Sequence, residues 1–285
     1  MIICRTKPEI RALTAQWFRE GKTVGAVPTM GGLHEGHLTL IDVAARECDR
    51  VIATVFVNPL QFAPHEDFDA YPRNLEADGA LLAGRGCDVL FAPERSDLFP
   101  ADFSTTVSVA GVGEGHCAVA RPHFFDGVAT IVAKLRLILR PDVAVFGEKD
   151  FQQLAVIRRM VRDLDIDMRI LGGPTVREAD GLAMSSRNQY LSAAERAVAP
   201  ALFRTIRQAG ERISAPGALW PEIGAWASGE MRAAGFTSVD YVDFVDAASF
   251  EMLESAGPEA RILTAARLGE TRLIDNIAVA RRSVE

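Results

Sequence analysis

Over its first 175 residues, this 285-residue chain alternates short β-branched runs with segments of helical period, and this alternation limits the possible folds most. The runs at 23–27, 51–57, 88–91, 143–146 and 168–171 read as strands. The stretches at 38–48, 74–85, 128–139 and 152–164 carry apolar residues at the three- and four-residue spacing of a buried helix face. Parallel strands need long crossovers, and a helix between strands supplies one, so the expected architecture is α/β with a doubly wound parallel sheet. Ligands of such sheets bind beyond the carboxyl ends of the strands, which directs attention to the residues that follow each run.

After Gly172-Gly173-Pro174 the pattern changes. A polar loop runs to about residue 191, helical segments are expected at 193–212 and 221–234, and strand-like runs at 238–245, 261–267 and 271–278 follow without helices between them. The expected domains are therefore 1–175 and a smaller α+β module at 176–285. With 48% hydrophobic residues and 15 Phe the chain can bury a core, which excludes disorder. Its formal net charge of −7 argues against a nucleic-acid partner. Cys4, Cys48, Cys87 and Cys117 form no C-x-x-C pair, so reduced thiols are expected rather than a zinc or disulfide framework. Charges at Arg5, Lys7, Glu9 and Arg11 interrupt any signal-peptide core, and no apolar stretch reaches membrane-spanning length. A cytoplasmic protein without a membrane partner is the expectation.

Four loops carry candidate chemistry. Pro28-Thr29-Met30-Gly31-Gly32-Leu33-His34-Glu35-Gly36-His37 joins the first of these strands to its helix. Its glycines admit close backbone approach, and histidines three apart share a face of the helix start, where backbone N–H groups suit phosphate oxygens. The pair lacks the H-E-x-x-H spacing of a zinc site, and two solvated histidines in a glycine loop remain an alternative. Asn58-Pro59-Leu60-Gln61-Phe62 follows the second run with two amides and an aromatic wall suited to a small polar acid. Gly147-Glu148-Lys149-Asp150-Phe151-Gln152-Gln153 holds one of only four lysines among 31 basic residues. Met184-Ser185-Ser186-Arg187-Asn188 offers two hydroxyls and a guanidinium for phosphate, with a polar linker as its alternative. The glycine run 111–115 lacks dinucleotide-binding spacing and reads as a turn.

At these residues the chain resembles the pantoate–β-alanine ligase (pantothenate synthetase) family over nearly its whole length. The resemblance implies a Rossmann-like nucleotidyl-transferring fold in which His34–His37 stands as the HIGH signature and 184–187 where KMSKS would stand. It implies ATP and pantoate giving pantoyl adenylate and pyrophosphate, then attack by β-alanine to give pantothenate and AMP. On this resemblance His34, His37 and Lys149 are the catalytic candidates, with His37 as proton donor. ATP contacts are expected from Met30, Gly31, Gly32, Leu33, His34, Glu35, Gly36, His37, Gly147, Glu148, Lys149, Asp150, Val176, Met184, Ser185, Ser186 and Arg187. Pantoate is expected at Gln61, Gln153, Met30 and Asn58, and β-alanine at Gln61. Magnesium is expected mainly on the ATP phosphates, with Asp78 as a candidate ligand against its reading as a helix-surface residue. No organic prosthetic group is implied, a homodimer is, and the C-terminal module is expected to act as a lid.

The chain departs from the family at Arg121-Pro122-His123-Phe124-Phe125-Asp126-Gly127-Val128, where Phe124 stands in place of a family histidine. No role is transferred to it, and Arg121 is left to the pocket or a subunit contact. An unperturbed alkyl ammonium has a pKa of about 10, and no motif residue is an obvious base for it. Binding of the small neutral fraction and proton loss to the adenylate phosphate both balance the second step.

Overall fold

A computed structural model describes residues 1–64, 66–215, 217–255 and 259–279. The chain forms two compact units. The first comprises Met1–Gly113, Arg121–Glu148 and Gln152–Thr175; the second comprises Glu114–Ala120, Lys149–Phe151 and the chain from Val176 onward.

In chain order the elements before Val176 are β1 (Ile2–Cys4), α1 (Lys7–Arg19), β2 (Val24–Thr29), α2 (Glu35–Glu47), β3 (Arg50–Val55), α3 (Leu75–Gly84), β4 (Val89–Phe91), α4 (Arg95–Leu98), α5 (Cys117–Ala120), α6 (Phe124–Leu139), β5 (Val143–Gly147), α7 (Phe151–Asp163) and β6 (Arg169–Gly173). The six strands form one sheet in the order β1-β4-β3-β2-β5-β6, and every neighbouring pair is parallel. From β2 the chain moves outward through β3 to β4, then returns to the other side of β2 for β5 and β6. The strand order therefore reverses between β2 and β5, and a doubly wound sheet opens a crevice beyond the carboxyl ends of its strands at such a point. The loop after Thr29 and the residues after Gly147 lie at those strand ends.

Helix α2 is fixed by Leu38, Ile41 and Ala44, spaced three apart and buried with Val27, Ala53 and Val145 of the sheet. Each fully buried aliphatic side chain contributes about 1.5–3 kcal/mol, so the helix whose first turn carries the histidines rests on a rigid base. Thr6 and Glu9 form a reciprocal capping box at the start of α1, with Pro8 in its first turn.

The second unit adds α8 (Ala193–Val198), α9 (Ala201–Ile213), α10 (Trp220–Ala234), β7 (Ser238–Asp246), β8 (Ala260–Leu268) and β9 (Thr271–Ala278). Its strands pair antiparallel in the order β7-β8-β9, with Leu202, Ile206, Trp220, Met231, Phe244 and Ile262 in its core. The single helix expected at 193–212 is two helices. Pro200 lacks the N–H that a helix interior requires, so α8 ends before it and α9 starts after it. The glycine run 111–115 is a turn, as its spacing suggests. Among the described residues no helix is long and apolar enough to cross a membrane.

Candidate active site

The loop from β2 into α2 is wound tightly. Gly31 and Gly32 have φ of +90° and +63°, a region in which L side chains are strained. A Cβ on Gly31 would meet Asp78 Oδ2 at 3.0 Å and Val55 Cγ1 at 3.1 Å. Asp78, only 2% exposed, reaches in from α3 and accepts the N–H of Gly32 at 3.1 Å and of Leu33 at 2.9 Å. This corrects the helix-surface reading of Asp78, and it gives the carboxylate a job other than magnesium binding. Both its oxygens hold the glycine loop, and no cluster of three or more His, Cys, Asp or Glu that could hold a metal occurs among the described residues.

His34 is the N-cap of α2. Its Nδ1 accepts the N–H of Gly36 at 3.2 Å, and Nδ1 of His37 accepts the N–H of His34 at 3.4 Å. The ring centroids are 4.1 Å apart, so the shared face expected from the spacing is real. A nitrogen that accepts a hydrogen bond carries no proton, so each neutral ring bears its hydrogen on Nε2. In this arrangement transfer of a whole proton from either ring would first require protonation at Nδ1 and loss of the cap.

Most backbone N–H groups of this loop have partners within it or on α3. Thr29 Oγ1 takes the N–H of Gly31, Asp78 takes those of Gly32 and Leu33, and the two rings take those of His34 and Gly36. Glu35 pairs with Arg85, which also binds Asp42 at 3.0 and 3.2 Å, and these acceptors, Asp42 foremost, raise the Arg85 pKa. Met30 follows β2 and is half-buried.

Gln61 closes a 3₁₀ turn, Pro59–Gln61, after β3. Its Oε1 accepts Nδ2 of Asn58 at 2.9 Å, which leaves the amide's Nε2 as its donor end. Asn58 is 1% exposed, donates also to the carbonyl of Gly127 at 3.0 Å, and caps the turn through Leu60 N–H at 3.2 Å. Asn58 therefore fixes the orientation of the Gln61 amide.

Arg121 is bonded within its own unit. It forms a fork with Glu66 (2.6 and 2.8 Å), donates to the carbonyl of Gln61 at 2.8 Å, and lies 3.9 Å over the Phe124 ring. Sequence reasoning missed Glu66 and Gly127 as supports of this turn. Nothing local marks Glu66, and Gly127 lies in the 121–128 segment already set apart by its departure at His123 and Phe124.

Gly147 ends β5 and Glu148 follows it in the first unit, while Lys149, Asp150 and Phe151 belong to the second. Lys149 Nζ lies 3.7 Å from Asp150 Oδ1. Gln153 stands half-buried in the first turn of α7. In the second unit the segment after Val176 folds back on itself. Met184 N–H bonds the Val176 carbonyl at 3.0 Å and Glu178 N–H bonds that of Leu182 at 2.8 Å. Ser185 then caps a 3₁₀ turn, Ser186–Tyr190, its Oγ accepting Arg187 N–H at 3.3 Å.

A doubly wound parallel sheet with a paired-histidine helix start at its switch point defines an α/β enzyme of the nucleotidyl-transferring type. A family model described as pantoate-beta-alanine ligase matches residues 2–278. The chain is 54% identical over 279 residues to the pantothenate synthetase of Rhodospirillum rubrum, covering 97% of this chain and 98% of that one. It is 54% identical over 282 residues to that of Caulobacter vibrioides, covering 98% of both. The crystal structure of pantothenate synthetase from Thermus thermophilus superposes with a TM-score of 0.93 at 45% identity, covering 99% of this chain and 100% of that one. Pantoate-beta-alanine ligase from Francisella tularensis, complexed with beta-gamma ATP and beta-alanine, superposes at 0.82 and 31% identity, with 97% of each chain covered. The chain belongs to the pantoate–β-alanine ligase family.

Proposed function

We propose that the chain is the ligase that joins pantoate to β-alanine at the expense of ATP, through a pantoyl adenylate. A pantoate carboxylate oxygen attacks the α-phosphorus, the bond to the bridging oxygen breaks, and pyrophosphate leaves. The β-alanine nitrogen then attacks the activated carbonyl, the carbonyl–oxygen bond to phosphate breaks, and AMP leaves with the amine's proton passing to solvent or to the phosphate. Barriers of this kind fall chiefly through positive charge and donors held in place before the reaction.

The observation that carries the reading is the histidine pair at the start of α2, its rings held side by side with each Nδ1 accepting a backbone N–H. His34 and His37 are assigned to the phosphoryl oxygens, and Lys149 to the departing pyrophosphate as a compact point charge. Ser185, Ser186 and Arg187 are assigned to the outer phosphates, with Met30, the glycine loop, Gly147, Glu148, Asp150, Val176 and Met184 beside the nucleotide. Gln61 and Gln153 are assigned to pantoate, and Gln61 also to β-alanine. Magnesium would enter with ATP and neutralise phosphate charge there, since the Asp78 carboxylate already holds the glycine loop. A homodimer working in the cytoplasm completes the proposal.

The test is product stoichiometry. Purified protein given ATP, magnesium, pantoate and β-alanine is expected to release one AMP and one pyrophosphate per pantothenate. ADP and phosphate as products would refute the adenylate route, and sedimentation as a monomer would refute the dimer.

A further inference from the structure

Strand β9 contains two adjacent buried polar residues, Asp275 and Asn276, 3% and 5% exposed, in a run otherwise made of Leu273, Ile274 and Ile277. A polar side chain inside a strand is costly unless it is bonded, and a structural pair would be expected to bond within its own sheet. Within the strand Asp275 Oδ1 accepts the Asn276 N–H at 2.7 Å, and both side chains also bond outward to irregular segments. Asn276 Nδ2 donates to the main-chain carbonyl of Lys149 at 2.8 Å. Asp275 takes the guanidinium fork of Arg177, at 2.6 and 2.8 Å, in the segment that leads from Val176 to Ser185.

Both segments are further secured within the same unit. Arg177 also donates to the Gly181 carbonyl at 3.1 Å and lies 3.7 Å over the Phe203 ring, and its backbone bridges Ala183. Beyond Lys149, Phe151 stacks on Phe250 at 5.6 Å, and the Arg261 guanidinium covers it at 3.6 Å. The main chain of Lys149 is thus held at its own carbonyl and again two residues later, so its freedom lies in the side-chain stem. One dipeptide of one strand sets both the lysine and the base of the serine–arginine turn.

We infer that Asp275 and Asn276, acting with Arg177, are positioning residues that align the Lys149 ammonium and the Ser185–Arg187 turn for pyrophosphate departure. This rests on the roles assigned to those groups above. Bidentate geometry makes the Arg177 fork irreplaceable by a point charge, whereas a lysine there would still neutralise the buried carboxylate.

The test uses the full chain carrying Asn276→Ala or Arg177→Lys, and it separates the two half-reactions. Pantoate-dependent exchange of labelled pyrophosphate into ATP reads adenylate formation. Aminolysis of chemically made pantoyl adenylate by β-alanine reads the second step, in which no pyrophosphate takes part. Misplacement of a reacting group by about 1 Å costs up to about 100-fold. Exchange is therefore expected to fall by on the order of 10- to 100-fold in each variant, with aminolysis at the wild-type rate. Equal losses in both half-reactions would assign the dipeptide to folding alone and overturn the inference, as would folded variants with normal exchange. Should Asn276→Ala fail to fold, Arg177→Lys decides the matter on the same readouts. A wild-type protein whose exchange ignores pantoate would sink the functional reading itself, whereas a pantoate-dependent wild type with unaffected variants would sink this inference alone.

Discussion

Gly127→Ala is expected to damage pantoate binding without touching any group that meets pantoate. Gly127 lies in the first turn of α6 against the Pro59–Gln61 turn. A Cβ there would stand 2.3 Å from the carbonyl oxygen of Leu60, 2.6 Å from its carbonyl carbon and 3.0 Å from the amide nitrogen of Gln61. All three are backbone atoms, so no side chain can swing aside. Ordinary contact begins near 3.4 Å, so helix and turn must part by about 1 Å. Overpacking of this kind costs about 1–3 kcal/mol, and the Asn58 bond to the Gly127 carbonyl, stretched by the same movement, adds about 1 kcal/mol. Gln61 moves with the turn, so kcat/KM for pantoate is expected to fall by up to about 100-fold. Urea unfolding reads the first effect, and pyrophosphate exchange at varied pantoate, with ATP saturating, reads the second. Gly229→Ala is the control, because its Cβ would meet nothing within 4 Å in the middle of α10. There the same substitution should stabilise by about 0.5–1 kcal/mol. A Gly127→Ala protein of unchanged stability and pantoate KM would refute the close-approach reasoning.

Lys149→Ala should lower pyrophosphate exchange by on the order of 100-fold or more while the melting curve stays in place. A well-folded variant with near-normal turnover would remove the ammonium from the chemistry. Asp78→Asn leaves one loop N–H facing an amide NH₂, which should cost about 1–3 kcal/mol and slow adenylate formation. The magnesium concentration at half-maximal rate should not move; a weakened magnesium response at unchanged stability would show that Asp78 is a ligand after all. Burial pushes the Cys87 thiol up to about 11 from an ordinary 9.0. The unfolded chain therefore loses that proton first, and the group's contribution to stability, complete below pH 9, is lost as pH rises through about 11. Two pH units correspond to about 2–3 kcal/mol. Urea unfolding of the wild type should weaken more steeply between about pH 9 and 11 than that of Cys87→Ala, and parallel slopes would contradict the shift.

The strand–helix rhythm made β2 through β6 legible, because each run stands next to a segment of helical period. Strand β1 has three residues, too few for any period, and it is specified by its place beside β4. The break at Pro200 was written in the sequence but hidden within a longer helical period. The histidine pair was legible from spacing alone. Asp78 was not, since nothing local marks a helix residue whose carboxylate serves a loop 45 residues earlier. Lys149 was recognisable as rare, but its attachment to β9 through Asn276 lies 127 residues away. Supports of this sort act through long-range contact, and composition and periodicity carry no record of it.

The central claim is that pantoate is activated as an adenylate before any amine attacks. Exchange of labelled pyrophosphate into ATP, measured with pantoate and magnesium but without β-alanine, tests it most directly. The account predicts exchange that appears only when pantoate is present, followed by a burst of AMP when β-alanine is added. Exchange in the absence of pantoate, or none until β-alanine is supplied, would contradict it.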